Sequence, residues 1–168
     1  MLVDESGLNE RPHRVRTWAP RGHTPVLPFH FNWETLSVIA GMTFVDFYFR
    51  LFAGAIRGPQ VIEFLRHLGR HLKGPVILVW DRLPAHRGRL VQDYLARHPR
   101  FHQEYLPAYA PEFNPVEYLW GQLKEHQLGN FCAEHLAELR GETRKALRRL
   151  QRRQAIIACC WKQAELPF

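Results

Sequence analysis

PVILVWD, residues 75 to 81, runs through five consecutive apolar positions and ends on a carboxylate. A strand with one wet face alternates apolar and polar residues. This one does not, so it reads as a strand buried on both sides, inside a sheet that helices cover. Upstream, GPQVIEFLRHLGRHLKG (58 to 74) spaces Val61, Phe64, Leu65, Leu68 and Leu72 along one helical face and stops at Gly74 and Pro75. Downstream come a helix near Gly88 to His98 and a strand at FHQEYL (101 to 106). Earlier still, LSVIAGMT (36 to 43) and DFYFRLF (46 to 52) are β-branched and aromatic. The second alternates Phe47, Phe49 and Leu51 with Tyr48 and Arg50, which suggests antiparallel strands. MLVDE reads as a short strand at the start, and helices follow the proline-rich loop near residue 110 to the end. The order is mixed α/β.

The chain has 168 residues, enough for one domain with a substantial core. Its hydrophobic share of 46% is that of a soluble globular protein. No apolar run approaches the roughly 20 residues that span a bilayer, and MLVDES carries an acid where a secretory signal carries a base. A cytoplasmic protein with no membrane partner is expected. Cys132, Cys159 and Cys160 form no CxxC pair and are odd in number, which fits reduced thiols.

Asp4 and Asp81 each follow an apolar strand, and groups just beyond the carboxyl ends of buried strands gather at the ligand crevice of an α/β sheet. The 35 residues between Asp81 and Glu117 hold one helix and one strand, which returns the chain to the same edge. Glu117 itself allows two readings. In PAYAPEFNPVEYLWGQLK (107 to 124), Asn114 suits a helix N-cap and Pro115 the first turn, so Glu117 could fold back onto the cap's N–H. Alternatively, the stiff loop holds its carboxylate beside the two aspartates. Three crowded carboxylates repel one another and take up protons unless cations neutralise them. Oxygen-only ligands suit Mg²⁺ or Mn²⁺, and a pair of such ions supports phosphodiester cleavage without a nucleophilic side chain. The GxxxxGK[ST] and GxGxxG patterns are missing, which argues against nucleotide hydrolysis or dinucleotide binding.

MLVDESGL, RTWAPRGHTP, VILVWDRLPAH and YLPAYAPEFNPVEYLWGQLK together resemble the endonuclease domain of DDE-type insertion-sequence transposases, the insertion sequence six-thirty group of the mariner-like superfamily. The resemblance covers residues 2 to about 128. It implies a ribonuclease-H-like fold, a five-stranded mixed sheet flanked by helices in which the strands ending at Asp4 and Asp81 are neighbours. It also implies cut-and-paste transposition at TA dinucleotides by a bacterial, nucleoid-associated enzyme with two Mg²⁺ or Mn²⁺ ions, DNA as partner and a homodimer as the active complex. Asp4, Asp81 and Glu117 fall on the family's three metal-binding acids. His86 falls on the histidine after the second aspartate, with no role assigned. The chain begins three residues before its first acid, so the family's N-terminal helix-turn-helix recognition domain is expected to be missing or supplied by a separate chain. Residues 1 to 168 are then one endonuclease domain, with a catalytic core to about 128 and basic C-terminal helices at about 133 to 163.

A net charge of +7 and a pI near 9.8 make a polyanion the natural partner. Between Arg140 and Arg153 seven bases stand against one acid, Glu142. Arg140, Arg144, Arg148 and Arg152 recur every fourth residue with Lys145, Arg149 and Arg153 alongside, while Leu136, Leu139, Leu147, Leu150 and Ile157 take the other face. This pattern favours phosphate contact over a merely solvated face. Lys124, and Arg14, Arg16 and Arg21 in the long segment from Gly7 to Glu34, are further candidate DNA contacts. That segment reads either as a DNA-facing loop or as one pinned over a sheet edge by Trp18. Trp80 and Trp120 read as core residues. Glu5 is expected on the strand face opposite Asp4, away from any ion. His67 and His71 lie four apart on a helix without a third metal ligand.

Overall fold

The computed structural model describes residues 1–28, 34–107 and 110–166. The last part of the long N-terminal segment and the centre of the proline loop lie outside the described residues. Five strands form one sheet: β1 (Leu2–Asn9), β2 (Thr35–Met42), β3 (Phe47–Ala53), β4 (Val76–Trp80) and β5 (Phe101–Tyr105). Their order is β3-β2-β1-β4-β5. The first three pair antiparallel, and β4 lies parallel to both β1 and β5. The strands expected from residue pattern are all present, and so is the mixed sheet.

Helices α1 (Gly58–His71), α2 (Pro84–Arg87) and α3 (Arg89–Ala96) cover one face; α4 (Pro115–Gly121), α5 (Leu136–Gln151) and α6 (Gln154–Gln163) cover the other. Val61, Phe64, Leu65 and Leu68 of α1 pack with Val3, Ile39, Leu78 and Trp80. Leu147 and Leu150 of α5 and Leu119 of α4 pack with Leu2, Val38, Ala40 and Phe47. Alternation along β1 therefore sends Leu2 to one core and Val3 to the other.

Three expectations need correction. β1 does not end at Asp4 but runs on to Asn9, paired with β2 throughout, so Asp4 lies inside the strand. The strand β4 is buried on one face only: Val76, Leu78 and Trp80 are enclosed, but Ile77 is 56% exposed. The reason is that α4 and α5 pack mainly over β1, β2 and β3, so on this side of β4 only Val79 is partly packed against their core. Trp18 pins nothing, being 100% exposed. The N-terminal segment is held instead by Asn130, whose amide bonds both the N–H and the carbonyl of Val15 at 3.0 Å and whose own N–H donates to His13 O at 2.8 Å. Val15 packs so closely there that a Cβ on Gly129 would stand 2.7 Å from its Cγ2 and 2.3 Å from Glu125 O, so only glycine fits.

Candidate active site

Leu2 of β1 pairs with Val79 of β4 in parallel register, so Asp4 and Asp81 each lie two residues beyond that pair on neighbouring chains. Asp4 is only 8% exposed and its Oδ2 accepts a 2.6 Å hydrogen bond from Trp120 Nε1. Burial, and next the charge of Glu117, push the Asp4 carboxyl up to about 7 despite that bond. Trp120 is thus in the core, as expected, but its indole N–H also serves the site. The signal for this was its place three residues after Glu117, on the same side of one helical turn.

Asp81 is in a different condition. Its side chain is 42% exposed, and its Oδ1 accepts from Leu83 N at 3.0 Å and from His86 Nδ1 at 2.9 Å. Partial burial works against its charge, but these bonds outweigh it and hold the carboxyl below its usual range. His86 is buried, stacked on Trp80 with ring centroids 4.4 Å apart and planes 3° from parallel. Its Nε2 lies 2.7 Å from Glu5 Oε1. Burial disfavours the imidazolium, yet the two carboxylates raise His86 to about 10. Glu5 does point away from Asp4's face, as expected. There it meets His86, so that a carboxylate, an imidazolium and a second carboxylate run in line from Glu5 to Asp81.

Glu117 is exposed on the first turn of α4. Asn114 caps that helix by accepting from Val116 N at 3.2 Å, and its amide reaches Val3 O at 3.4 Å, tying the helix entry to β1. The cap's own N–H donates to Pro111 O at 2.8 Å. Since that donor is already used, the reciprocal capping bond from Glu117 is not made, and its carboxylate is left to face Asp4.

One group of ligand-type side chains gathers at Asp81 among the described residues: atoms of Glu5, Asp81 and His86 lie within 4.8 Å of one another. Both ring nitrogens of His86 are engaged by carboxylates, however, which leaves it no lone pair for an ion. Of the three acids expected to share a metal, Asp4 and Glu117 stand close enough for Glu117 to suppress the ionisation of Asp4, which a positive charge would restore, whereas Asp81 is gathered with Glu5 and His86 instead. Asp81, with Oδ1 occupied by two donors, has Oδ2 to offer.

The model of the DDE superfamily endonuclease family matches residues 1–140, which takes in all three of these acids. The chain belongs to that family. Its fold is likewise shared with solved structures. The Mos1 mariner paired end complex with Mn aligns over 98% of this chain and 51% of that one, with TM-score 0.70 and 17% identity. The Mos1 transposase catalytic domain with Raltegravir and Mn aligns over 98% and 79%, with TM-score 0.64 and 16% identity. A simian T-cell lymphotropic virus intasome in complex with a PP2A regulatory subunit aligns over 94% and 62%, with TM-score 0.54 and 18% identity. This DDE endonuclease chain thus spans about half the length of the Mos1 chain in the paired end complex. No curated protein matches it.

The expected DNA contacts of this DDE chain are distributed over two clefts and other exposed positions. Arg140, Arg144 and Arg148 line a cleft beside β3, and Lys124 lines a smaller one with Arg11 and His13. Arg14, Arg16 and Arg21 are exposed along the N-terminal segment. Lys145 pairs with Glu142 at 2.6 Å, and Arg149 and Arg152 are exposed on α5 and at its end. Among the described residues no helix is long and apolar enough to cross a membrane.

Proposed function

We propose that this chain is the catalytic domain of a cut-and-paste DNA transposase of the insertion sequence six-thirty type, which cleaves a DNA phosphodiester and joins the freed 3′-OH to a TA target. The observation that supports this reading best is that Asp4 and Asp81 each lie two residues beyond the paired Leu2 and Val79 of neighbouring parallel strands, with Glu117 near enough to suppress Asp4's ionisation. Asp4 and Asp81 would hold two Mg²⁺ or Mn²⁺ ions between them, and Glu117 one of the two. Such ions, when bound, would supply positive charge beside a phosphate and lower the pKa of a bound water. The chain's own part is orientation. The Glu5–His86 pair keeps Asp81 ionised and its Oδ1 fixed, Trp120 fixes Asp4, and the Asn114 cap locks Glu117 to β1. Exposed arginines and Lys124 would contact phosphates. Element ends, a homodimer, a separate helix-turn-helix chain and a bacterial, nucleoid-associated setting belong to this reading.

Nicking of supercoiled plasmid in Mn²⁺ tests it. Wild type should nick and Asp81→Asn should not. A chain that binds plasmid but never nicks it is a DNA-binding or dimerisation module instead.

A further inference from the structure

The edge strand β3 borders a cleft of about 760 Å³ that lies apart from the carboxylates. The register runs from Asp4 through Ala40 of β2 to Phe49 of β3, so the cleft begins two strands away from Asp4, about 10 Å across the sheet. One wall is α5, where Arg140, Arg144 and Arg148 repeat every four residues and so rise about 6 Å per step. Around the β3 edge, on the other face of the sheet, His67 and His71 of α1 and Tyr48 of β3 complete the lining.

The polar groups in this cleft are unevenly satisfied. Arg140 is committed to the edge strand, donating to Leu51 O at 3.3 Å, and Gln151 likewise donates to Phe47 O, so α5 clamps β3 at both ends of the opening. Arg50 is paired with Glu63. Asp46, the one acid among the lining residues, turns its Oδ1 to the N–H of Phe47 at 2.7 Å. Arg144 and Arg148, between the clamps, have no carboxylate within 4.0 Å among the described residues. Around the edge from them is a row of rings: Tyr48 and His71 with centroids 5.7 Å apart, and His71 and His67 at 4.4 Å.

We propose that this cleft binds a single strand of nucleic acid, with Arg144 and Arg148 on successive phosphates and Tyr48 and His71 stacking on its bases. A row of unpaired guanidinium groups recognises a polyanion, and aromatic faces in the same cleft select unpaired bases. A duplex presents its phosphates to the same arginines but keeps its bases stacked inside, so Tyr48 and His71 gain nothing from it. Lys145, Arg149 and Arg153 lie outside the cleft, so charge alone does not define it. This proposal rests on reading the chain as a DNA-processing domain. Its test reads binding without cleavage, so the two can fail separately.

The experiment is fluorescence anisotropy in EDTA with a labelled oligothymidylate and with a duplex of equal length. Arg144→Glu with Arg148→Glu should weaken the single strand at least about tenfold, and neutral replacement of both by Gln should flatten its salt slope by about 1.4, which is about 0.7 for each phosphate no longer held. Tyr48→Ala and His71→Ala should each weaken the single strand about fivefold or more while changing duplex binding less than about twofold. His71 is exposed, so its variant keeps the test valid if Tyr48→Ala disturbs the strand. The charge-matched Lys73→Glu with Lys162→Glu, at exposed positions outside the cleft, should cost no more than about threefold. The proposal is overturned if that control pair costs as much as the cleft pair, or if both ring variants bind the single strand like wild type.

Discussion

Replacing Asp4 by Asn should stabilise the metal-free protein, and more so as pH rises. In the unfolded chain this carboxyl ionises near its ordinary value of 3.8, whereas in the folded protein burial and Glu117 hold it protonated up to about 7. Between those two values the unfolded state has shed a proton that the folded state keeps. Stability therefore falls as pH climbs through the interval and levels off above it. At about 1.36 kcal/mol per pH unit, the part of the interval from pH 5 to 7 amounts to about 2.7 kcal/mol. Asn keeps an amide oxygen for Trp120 Nε1 and has nothing to ionise, so it escapes this loss. The assay is urea denaturation of wild type and Asp4→Asn in EDTA at pH 5 and 8.5. The advantage of the variant should grow by about 2 to 3 kcal/mol between the two, a sizeable part of a typical domain's total stability. An advantage that changes by less than about 0.5 kcal/mol, or that shrinks, would refute the burial argument.

Asp81→Asn should act with the opposite sign in the same assay, because its carboxyl is held below the usual range and its contribution is present above that range and lost on acidification. A loss of about 1 kcal/mol at pH 7, fading toward pH 3, is expected after allowance for exposure. Glu117→Gln should lose most plasmid nicking in Mn²⁺ at a stability cost below about 1 kcal/mol, since the cap's N–H is bonded elsewhere, whereas Glu112→Gln should nick like wild type. Asn114→Ala removes both the cap to Val116 and the tie to Val3, and should lower stability by about 1 to 2 kcal/mol in thermal or urea melts.

How far the chain could be read from its residues depended on the range of the interaction. The strands follow from local pattern, because alternation is written in neighbouring residues, but the end of β1 did not, since its pairing with β2 carries it past Asp4 to Asn9. The three acids are not in equal condition, because each answers to its own surroundings: His86, five residues on, neutralises Asp81, while burial and the distant Glu117 act on Asp4. Period-two alternation placed Glu5 on the far face, yet nothing local announces that His86, 81 residues away, would meet it there. Trp18 and Asn130 make the same point, since an exposed indole and a clamping amide look alike in a loop sequence. The continuous apolar run of β4 was over-read, because which half of a sheet the C-terminal helices cover is decided by packing across the whole chain. For the basic stretch, helical period gave the face but not the cleft, whose remaining lining comes from β3 and α1.

The central claim is that Asp4, Asp81 and Glu117, and not Glu5 and His86, hold the divalent ion. Calorimetric titration of Mn²⁺ at pH 6 in two buffers of different ionisation heat tests it directly. Wild type should bind with release of a proton, because an ion beside Asp4 displaces the one that burial keeps there. Asp4→Asn and Glu117→Gln should each weaken binding at least about tenfold, as expected for loss of an anionic ligand, while Glu5→Gln should change it less than about threefold. Mn²⁺ binding that survives Glu117→Gln but is lost in Glu5→Gln would place the ion on the other side of Asp81 and contradict the account.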